Sequence, residues 1–238
     1  MQDPELWKQE RFLKDARGRF TGPYMERIIG RAYEPVIRTH ATGRLVDLGC
    51  GKVPYYGWYR DRVKETVCVD WAHTVRGITH LDHVLDLNAP LHVLESASFD
   101  TVLCTDVLEH IHTPEPLVAE MVRILRPKGK LIVAVPFLYW IHEAPHDHHR
   151  YTEHKLRQWC VKHDLEVLEL QIFGGWPEVV FDQVYKGIDY LDLPLKRIWL
   201  GAWKGFGKVL SKVRAVQRMS MRSRSTFPLG YVLVARAK

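Results

Sequence analysis

The chain has 238 residues and a hydrophobic content of 46%, which excludes a disordered protein and predicts one large domain or two small ones. It has no run of roughly eighteen apolar residues, so no membrane-spanning helix is expected, and residues 1–19 lack the apolar stretch of a signal peptide. The four cysteines form no CxxC pair, which predicts reduced thiols in a cytoplasmic protein.

The formal net charge of +6 is unevenly distributed along the chain. Residues 193–238 hold eleven Lys or Arg and no Asp or Glu. Residues 1–192 hold 23 basic and 28 acidic residues, a net charge of −5. A basic C-terminal region implies an anionic partner, such as a membrane surface, a nucleic acid or a phosphorylated substrate.

Short apolar runs rich in β-branched residues predict seven strands, at residues 44–48, 66–70, 83–87, 99–104, 130–135, 165–173 and 231–235. Several runs are almost continuously apolar, as in strands that are buried on both faces. Helical patterns lie between some of them, most clearly at 114–125 and at 152–163, where Thr152 is the expected cap. This alternation predicts an α/β fold with a mostly parallel sheet.

The chain divides into four predicted segments. Residues 1–43 form a helical cap, and residues 44–175 form the α/β core. Residues 176–226 are a basic amphipathic insertion between the last two strands, and residues 227–238 return to the core as its final strand.

A glycine-containing motif, VDLGCG, follows the first predicted strand at residues 46–51. Gly49 and Gly51 let the chain turn so that backbone amides can approach a ligand at the carboxyl edge of the sheet. Pro54 stands where the dinucleotide fingerprint has its third glycine, which argues against a nicotinamide cofactor. Asp47, two residues before the first glycine, is placed to receive an ammonium group.

Further acids follow at regular intervals. Asp70 ends an apolar strand nineteen residues after Gly51, where nucleotide sites place a carboxylate on ribose hydroxyls. Asp86 suits an adenine amino group, and the segment FDTVLCTDVLEH follows at residues 99–110. Each acid alone could be an ordinary strand-end residue, but their order and spacing argue against that interpretation.

Together with LRPKG at residues 125–129, these motifs resemble class I S-adenosylmethionine-dependent methyltransferases of the type 11 kind, over roughly residues 44–173 and the last strand. The resemblance implies a Rossmann-like, seven-stranded, mostly parallel sheet with an antiparallel last strand and helices on both faces. It also implies S-adenosyl-L-methionine (SAM) as the cofactor. Lys128 departs from the family, which commonly has glycine at that position.

The resemblance assigns the loop that begins at Asp47 to the methionine moiety, Asp70 to ribose, Asp86 to adenine and residues 104–110 to the neighbourhood of the sulfonium. The predicted cofactor-binding residues are Asp47, Gly49, Cys50, Gly51, Asp70, Trp71, Asp86, Leu87, Cys104 and Thr105. A catalytically inactive scaffold with this fold is an alternative. A protein that had lost its activity would be expected to lose the cofactor-binding acids first, yet all of them are present here.

The segment after the fifth predicted strand contains the candidate acceptor site. Five of the thirteen histidines lie between residues 142 and 154, and imidazole titrates near neutral pH. We predict His146 as a general base oriented by Asp147, with Arg150 as an anion clamp and His110 as the next candidate base. The sequence at residues 145–152 is similar to one in methyltransferases that act on surface-glycan or sugar acceptors.

Two other interpretations of this segment stay open. It could be a solvated turn that caps the next helix, or a metal site built from His142, His146 and His148 with Asp147 or Glu143. Pro145 prevents a regular helix from aligning the histidines, and their spacing matches no closed zinc pattern. We therefore predict no metal.

Residues 195–216 have one apolar face at helical spacing, formed by Leu195, Trp199, Trp203, Phe206, Leu210, Val213 and Val216. This helix could cover the domain, lie on anionic lipid, or contact a nucleic acid or protein. Aromatic residues on one face and basic residues opposite favour lipid over RNA.

These features predict a methyltransferase that O-methylates a sugar or glycan-type acceptor, which could be lipid-linked. The alternative acceptor is RNA, held by the basic C-terminal region. We expect a cytoplasmic protein that associates peripherally with membranes; the sequence leaves the oligomeric state open.

Overall fold

A computed structural model describes residues 23–72, 80–191 and 194–238. Seven strands form one sheet: β1 (Gly43–Leu48), β2 (Val63–Asp70), β3 (His83–Val84), β4 (Phe99–Thr105), β5 (Leu125–Pro136), β6 (Leu165–Phe173) and β7 (Gly230–Ala237). The described helices are α1 (Pro23–His40), α2 (Tyr56–Tyr59), α3 (Pro114–Ile124), α4 (Glu153–Lys162), α5 (Trp176–Tyr190), α6 (Lys196–Leu210) and α7 (Arg214–Ser223), with a 3₁₀ turn at Leu108–His110.

The strand order is β3-β2-β1-β4-β5-β7-β6. Strands β1 to β5 pair in parallel, and β7 lies antiparallel between β5 and β6. The predicted fold class is therefore confirmed. The chain reverses its direction of winding between β1 and β4, which opens a crevice beside the carboxyl ends of these two strands.

Apolar side chains fill both faces of the sheet. On one face, Tyr33 and Ile37 of α1 pack in a buried cluster with strand residues such as Leu45. On the other face, Met121 of α3 and Trp159 of α4 are buried with alternate strand residues. Both faces are covered, which explains why the strand sequences are nearly continuous in apolar residues. The four cysteines are free and buried, as predicted.

The N-terminal boundary differs from the prediction. The predicted cap covers residues 1–43, but the described part is the single helix α1, and β1 already begins at Gly43. Residues 1–22 lie outside the described part of the chain.

The strand and helix boundaries also differ at three points. Strand β3 has two residues instead of the predicted five, and β5 begins at Leu125, the last residue of the predicted helix and five residues before the predicted strand. The register of β5 against β4 shifts there, and Lys128 has a φ of +65°. Thr152 occupies the predicted cap position of α4, but its side chain makes no capping hydrogen bond.

The predicted helix over 195–216 is divided in two. Helix α6 ends at Leu210 and α7 begins at Arg214. Between them the amides of Lys212 and Val213 bond to carbonyls three residues back, which tightens the last turn and ends the helix. Among the described helices, none is long and apolar enough to span a bilayer.

The backbone at Lys128 yields a stability prediction. Lys128→Gly should raise the free energy of unfolding by about 0.5–1 kcal/mol, because glycine adopts a positive φ without the steric cost of a Cβ. In the matched control Lys130→Gly, the residue lies in extended β5, and the same change should lower stability by a similar amount. Urea unfolding measures both; a lower stability of Lys128→Gly would contradict the prediction.

Candidate active site

A cavity of about 570 Å³ lies at the carboxyl edge of the sheet. It is bounded by the loop after β1, the ends of β2 and β4, the turn after β3 and the loop after β5. Its lining includes nine of the ten predicted cofactor-binding residues: Asp47, Gly49, Cys50, Gly51, Asp70, Trp71, Asp86, Leu87 and Thr105. The exception is Cys104, which is fully buried within β4 and does not reach the cavity, because alternate side chains of a strand point to opposite faces.

The glycine loop closes one end of the cavity. Gly49 and Gly51 both have positive φ angles, of 71° and 53°. A Cβ on Gly49 would lie 2.3 Å from a methyl group of Val107, so only glycine fits there. The Gly51 amide donates a hydrogen bond to Asp70 Oδ2 at 3.0 Å, which ties the loop to the end of β2.

Two of the predicted acids are held in place by backbone amides. Asp70 Oδ1 accepts a hydrogen bond from the Trp71 amide at 2.8 Å. Asp86 Oδ1 accepts from the amide and the side chain of Asn88, each at 2.9 Å. These bonds leave both carboxylates at the wall of the cavity in one orientation.

Asp47 is the most deeply buried acid of the cavity wall, with 1% exposure. Burial and the nearby charge of Asp70 raise its pKa to about 7, and the only opposing effect is a 3.5 Å hydrogen bond from the Tyr59 hydroxyl. A cationic ligand beside Asp47 would stabilise the ionised carboxylate.

Asp106 is a cavity residue that the sequence analysis did not single out. It follows β4 directly and adopts a φ of +54°, a left-handed conformation that Asp tolerates better than most residues. The Tyr33 hydroxyl donates to its Oδ1 at 2.8 Å, and burial raises its pKa to about 6. Its position directly after a buried strand is the sequence feature that could have identified it, since Asp70 was predicted from its place at the end of such a strand.

The predicted pairing of His146 with Asp147 is wrong. The His146 ring is exposed, lines the cavity and lies edge-on to Trp71, with ring centroids 5.1 Å apart. Asp147 faces the other way, and its Oδ2 accepts hydrogen bonds from the His142 amide and Arg150 Nη2, both at 2.8 Å. Arg150, three residues away, therefore binds the carboxylate that the sequence predicted as the partner of His146.

Arg150 does not form the predicted anion clamp. Its guanidinium donates to both Asp147 oxygens and to the carbonyls of Trp140 and His149. Burial raises the pKa of Asp147, but the hydrogen bonds from Arg150 and His142 outweigh this effect and hold it well below its usual range. The pair folds the loop after β5 onto itself, so Arg150 and Asp147 are positioning residues.

Beside the cavity, Glu109, His110 and His142 come together. Each offers one potential metal-ligating atom, and the three atoms lie within 4.8 Å of one another. His110 also lines the cavity. This set shares only His142 with the metal site considered from the sequence, because His146 lies against Trp71 and His148 lies against His112.

Comparison with known proteins agrees with this architecture. Residues 46–133 match the family model described as a methyltransferase domain. A ubiquinone biosynthesis O-methyltransferase of Xanthomonas oryzae is 27% identical over 103 residues, which cover 40% of this chain and 43% of that protein. The protein of the same name from Idiomarina loihiensis is 24% identical over 146 residues, 49% of this chain and 60% of that protein. The chain thus matches about half the length of these curated relatives.

Among solved structures, a SAM-dependent methyltransferase from Archaeoglobus fulgidus has the same fold, with a TM-score of 0.59 at 14% identity, and the match covers 94% of this chain and 98% of that chain. The cavity suits SAM on its own chemistry. Its volume is typical of small-molecule sites, and its acids can meet the cationic and hydroxyl groups of that molecule. Residues 46–133 thus match a methyltransferase domain, and the chain as a whole has the fold of the SAM-dependent methyltransferase from Archaeoglobus fulgidus.

Asp47 predicts a pH dependence of cofactor affinity. With a pKa of about 7, the Asp47 carboxyl is mostly protonated in the free protein below that pH. If it is the partner of the SAM ammonium group, as the sequence predicts, it must lose this proton on binding. Affinity should therefore rise by up to about tenfold per pH unit as pH approaches about 7, and then level off. Isothermal titration calorimetry from pH 6 to pH 8 measures this change, with proton release detected from the buffer dependence of the heat.

The control for this prediction is Asp47→Asn, which keeps the side-chain shape but cannot ionise. Its affinity should be weaker at pH 8 and nearly independent of pH. An unchanged pH dependence in Asp47→Asn would assign the proton to another group, of which Asp106 is the nearest candidate.

Proposed function

We propose that this protein transfers a methyl group from SAM to a hydroxyl oxygen of an acceptor. The observation that carries the proposal is the placement of an exposed imidazole, His146, on the rim of a cavity walled by Asp47, Asp70 and Asp86. The name of the curated relatives, O-methyltransferase, agrees with oxygen as the methylated atom.

Bound SAM supplies an electrophilic methyl group on a sulfonium. The chain's own residues bind and orient it: Asp47 toward the ammonium group, Asp70 toward ribose and Asp86 toward adenine. The glycine loop lets the backbone approach SAM closely, and Gly49 is required there because a side chain at this position would collide with Val107. Binding both reactants in one cavity lowers the entropic part of the barrier.

The acceptor hydroxyl must lose its proton as the new O–C bond forms. His146 lines the cavity and is exposed, so its imidazole can meet an acceptor and take this proton. It does so without a carboxylate partner on the same loop, since Asp147 is bound to Arg150 and His142. His110 is the second candidate base.

A sugar or glycan hydroxyl is the acceptor that we favour. Trp71 lines the cavity, and Trp140, 37% exposed, belongs to the loop that carries His146. Flat aromatic faces suit the apolar faces of sugar rings. The similarity of residues 145–152 to glycan-directed methyltransferases supports the same class.

A membrane surface is the partner that we propose for α6, with the acceptor attached to a lipid. The predicted apolar face of this helix is divided in the structure. Trp203 packs inward, with its ring stacked 5.2 Å from Phe181 and its indole N–H donating to the Phe181 carbonyl. Ile198 and Trp199 are 64% and 57% exposed. An exposed apolar patch in a region without acidic residues suits an anionic bilayer.

The general-base role predicts the effect of His146→Ala. Turnover should fall by roughly 10²–10⁴, while SAM affinity stays unchanged, because the proton transfer is lost but the acids of the cavity are intact. The matched control, His154→Ala, removes an exposed histidine of α4 and should retain full turnover. If His146→Ala keeps its activity across the pH range, the base lies elsewhere.

The assay for turnover is transfer of tritium from labelled SAM to four acceptor pools: lipid-linked glycans, soluble glycans, quinone-precursor phenols and RNA. Labelling of a glycan pool supports the proposed acceptor. Labelling of phenols alone would assign the acceptor class suggested by the relatives' name, and labelling of RNA alone would assign the nucleic-acid alternative. Absence of SAM binding would contradict the methyltransferase itself.

The division of α6 predicts two separable phenotypes. The double variant Ile198→Ser/Trp199→Ser should lose co-sedimentation with anionic vesicles and keep its melting temperature, because both side chains are exposed. The control Trp203→Ala should lower the free energy of unfolding, by about 1–3 kcal/mol for this half-buried ring. Vesicle binding of the double variant at the parent's level would overturn the membrane proposal.

A further inference from the structure

The 3₁₀ turn after β4 carries a carboxylate in an unusual environment. The Glu109 side chain is fully buried, and within the described structure neither of its oxygens has a hydrogen-bond partner. Burying a carboxylate without partners costs several kcal/mol. A cation bound beside Glu109 would offset this cost by stabilising its ionised form.

Two imidazoles face this carboxylate. Nε2 of His110 and Nε2 of His142 each lie 3.8 Å from Glu109 Oε1. Their rings are 4.8 Å apart between centroids and nearly perpendicular. Both side chains are about one-fifth exposed, so the cluster lies where solvent and ligands can reach it.

In each histidine, the hydrogen bond made by Nδ1 determines whether Nε2 has a lone pair that can bind a metal. His110 Nδ1 lies 2.7 Å from the His146 carbonyl, which can only accept, so Nδ1 carries the hydrogen. His142 Nδ1 lies 3.2 Å from Asp147 Oδ2 and 3.4 Å from the Trp140 carbonyl, which are also acceptors. In neutral imidazoles both Nε2 atoms therefore carry the lone pair, and each lies 3.8 Å from Glu109 Oε1. Glu143 Oε2 also lies 3.9 Å from His110 Nε2.

This arrangement has the features of a metal centre. A carboxylate or a carbonyl on the far nitrogen is the usual outer partner of a metal-ligating histidine. Two imidazoles and one carboxylate form a common ligand set for Zn²⁺ and Fe²⁺ sites with open positions. With metal–ligand bonds of about 2.1 Å, tetrahedral ligands are about 3.4 Å apart, so a bound metal would draw together three atoms that now lie within 4.8 Å of one another.

The surrounding loop holds the cluster together. The Glu109 carbonyl accepts hydrogen bonds from the amides of His148 and His149, at 2.8 and 3.2 Å. The Tyr151 hydroxyl donates to the Leu108 carbonyl at 2.9 Å. These bonds fix the loop after β5, which carries His142, onto the turn that carries Glu109 and His110.

We propose that Glu109, His110 and His142 bind a divalent first-row transition metal at the edge of the cofactor cavity. Its role rests on the proposed function. Since His110 lines the cavity, an acceptor hydroxyl in the cavity can occupy an open coordination position. A metal held there would lower the pKa of that hydroxyl. Its proton would pass to His146, the oxygen lone pair would form the new O–CH3 bond as the S–CH3 bond of SAM breaks, and the electron pair of the broken bond would stay on sulfur, which leaves as the neutral thioether S-adenosylhomocysteine.

The test is metal binding by the full chain after treatment with a chelator. Calorimetric titration with Zn²⁺, and the visible absorption of added Co²⁺, should show one tight site per chain. Glu109→Gln and His142→Gln should each weaken binding by at least about 100-fold, since each removes a ligand. His148→Gln is the matched control: it removes a histidine of the same loop outside the cluster and should bind as the parent does.

Three results would overturn the proposal: no tight Zn²⁺ or Co²⁺ site in the parent, parent-like affinity in Glu109→Gln, or loss of binding in His148→Gln. The last result would place the metal on the surface histidines. Glu109→Gln is nearly isosteric and breaks no hydrogen bond of the Glu109 oxygens, so its metal-free melting temperature should not fall. If it does, His142→Gln decides the ligand set.

Failure of this proposal and failure of the methyltransferase proposal are distinguishable. SAM binding by the chelator-treated protein tests the cofactor site without metal, and Zn²⁺ binding without SAM tests the metal site without cofactor. An adventitious surface ion would be insensitive to both Glu109→Gln and His142→Gln, which would contradict the metal proposal and leave SAM binding intact.

Discussion

Acidic side chains are packed together where the sheet ends, and this constraint governs the rest of the site. Asp47 and Glu109 are deeply buried there and Asp106 is partly buried, and burial raises the pKa of each carboxyl group. Neighbouring charge adds to the effect, since Asp70 acts on Asp47 and Asp106 acts on Glu109. A cavity walled by Asp47 and Asp106, with Glu109 beside it, favours cationic ligands, because a positive charge stabilises the ionised form of carboxyl groups that are shielded from water.

The second organising interaction is the Asp147–Arg150 pair. It lies on an irregular loop, where no ladder of backbone hydrogen bonds holds the chain. Arg150 supplies that order by donating to carbonyls at residues 140 and 149 as well as to the carboxylate. As a result, this ion pair holds the loop so that His142 faces Glu109 while His146 faces the cofactor cavity.

The helical insertion is held to the rest of the protein by apolar contacts. Helix α6 is anchored where a glycine allows close approach, since a Cβ on Gly207 would lie 2.3 Å from the Phe181 ring. The stacking of Trp203 on the same ring completes the contact. Other large apolar side chains of α6, such as Ile198 and Trp199, stay exposed in a stretch of sequence without acidic residues, and this is the basis of the proposed contact with an anionic membrane.

Much of this protein follows from local sequence. The order of the strands along the chain, the sheet type and the cavity acids Asp47, Asp70 and Asp86 could be predicted, because they depend on short apolar runs and on the glycine loop, whose constraints are local. Two kinds of feature could not be predicted from the sequence. The short β3 and the division of 195–216 depend on how far neighbouring elements extend pairing and packing. The partners of polar side chains depend on distance in space.

Asp147 is the clearest case of this second kind. In sequence it adjoins His146, but adjacent side chains of a loop diverge, and the carboxylate turns to Arg150 and His142 instead. Glu109 and His142 are 33 positions apart in the chain, and no spacing rule relates them. They meet because β4 and β5 are parallel neighbours, so the segments that follow them emerge at the same edge of the sheet. The residue types at the site were set by the sequence, and their partners were decided by the tertiary structure, because hydrogen bonds and metal ligation act only over a few ångströms.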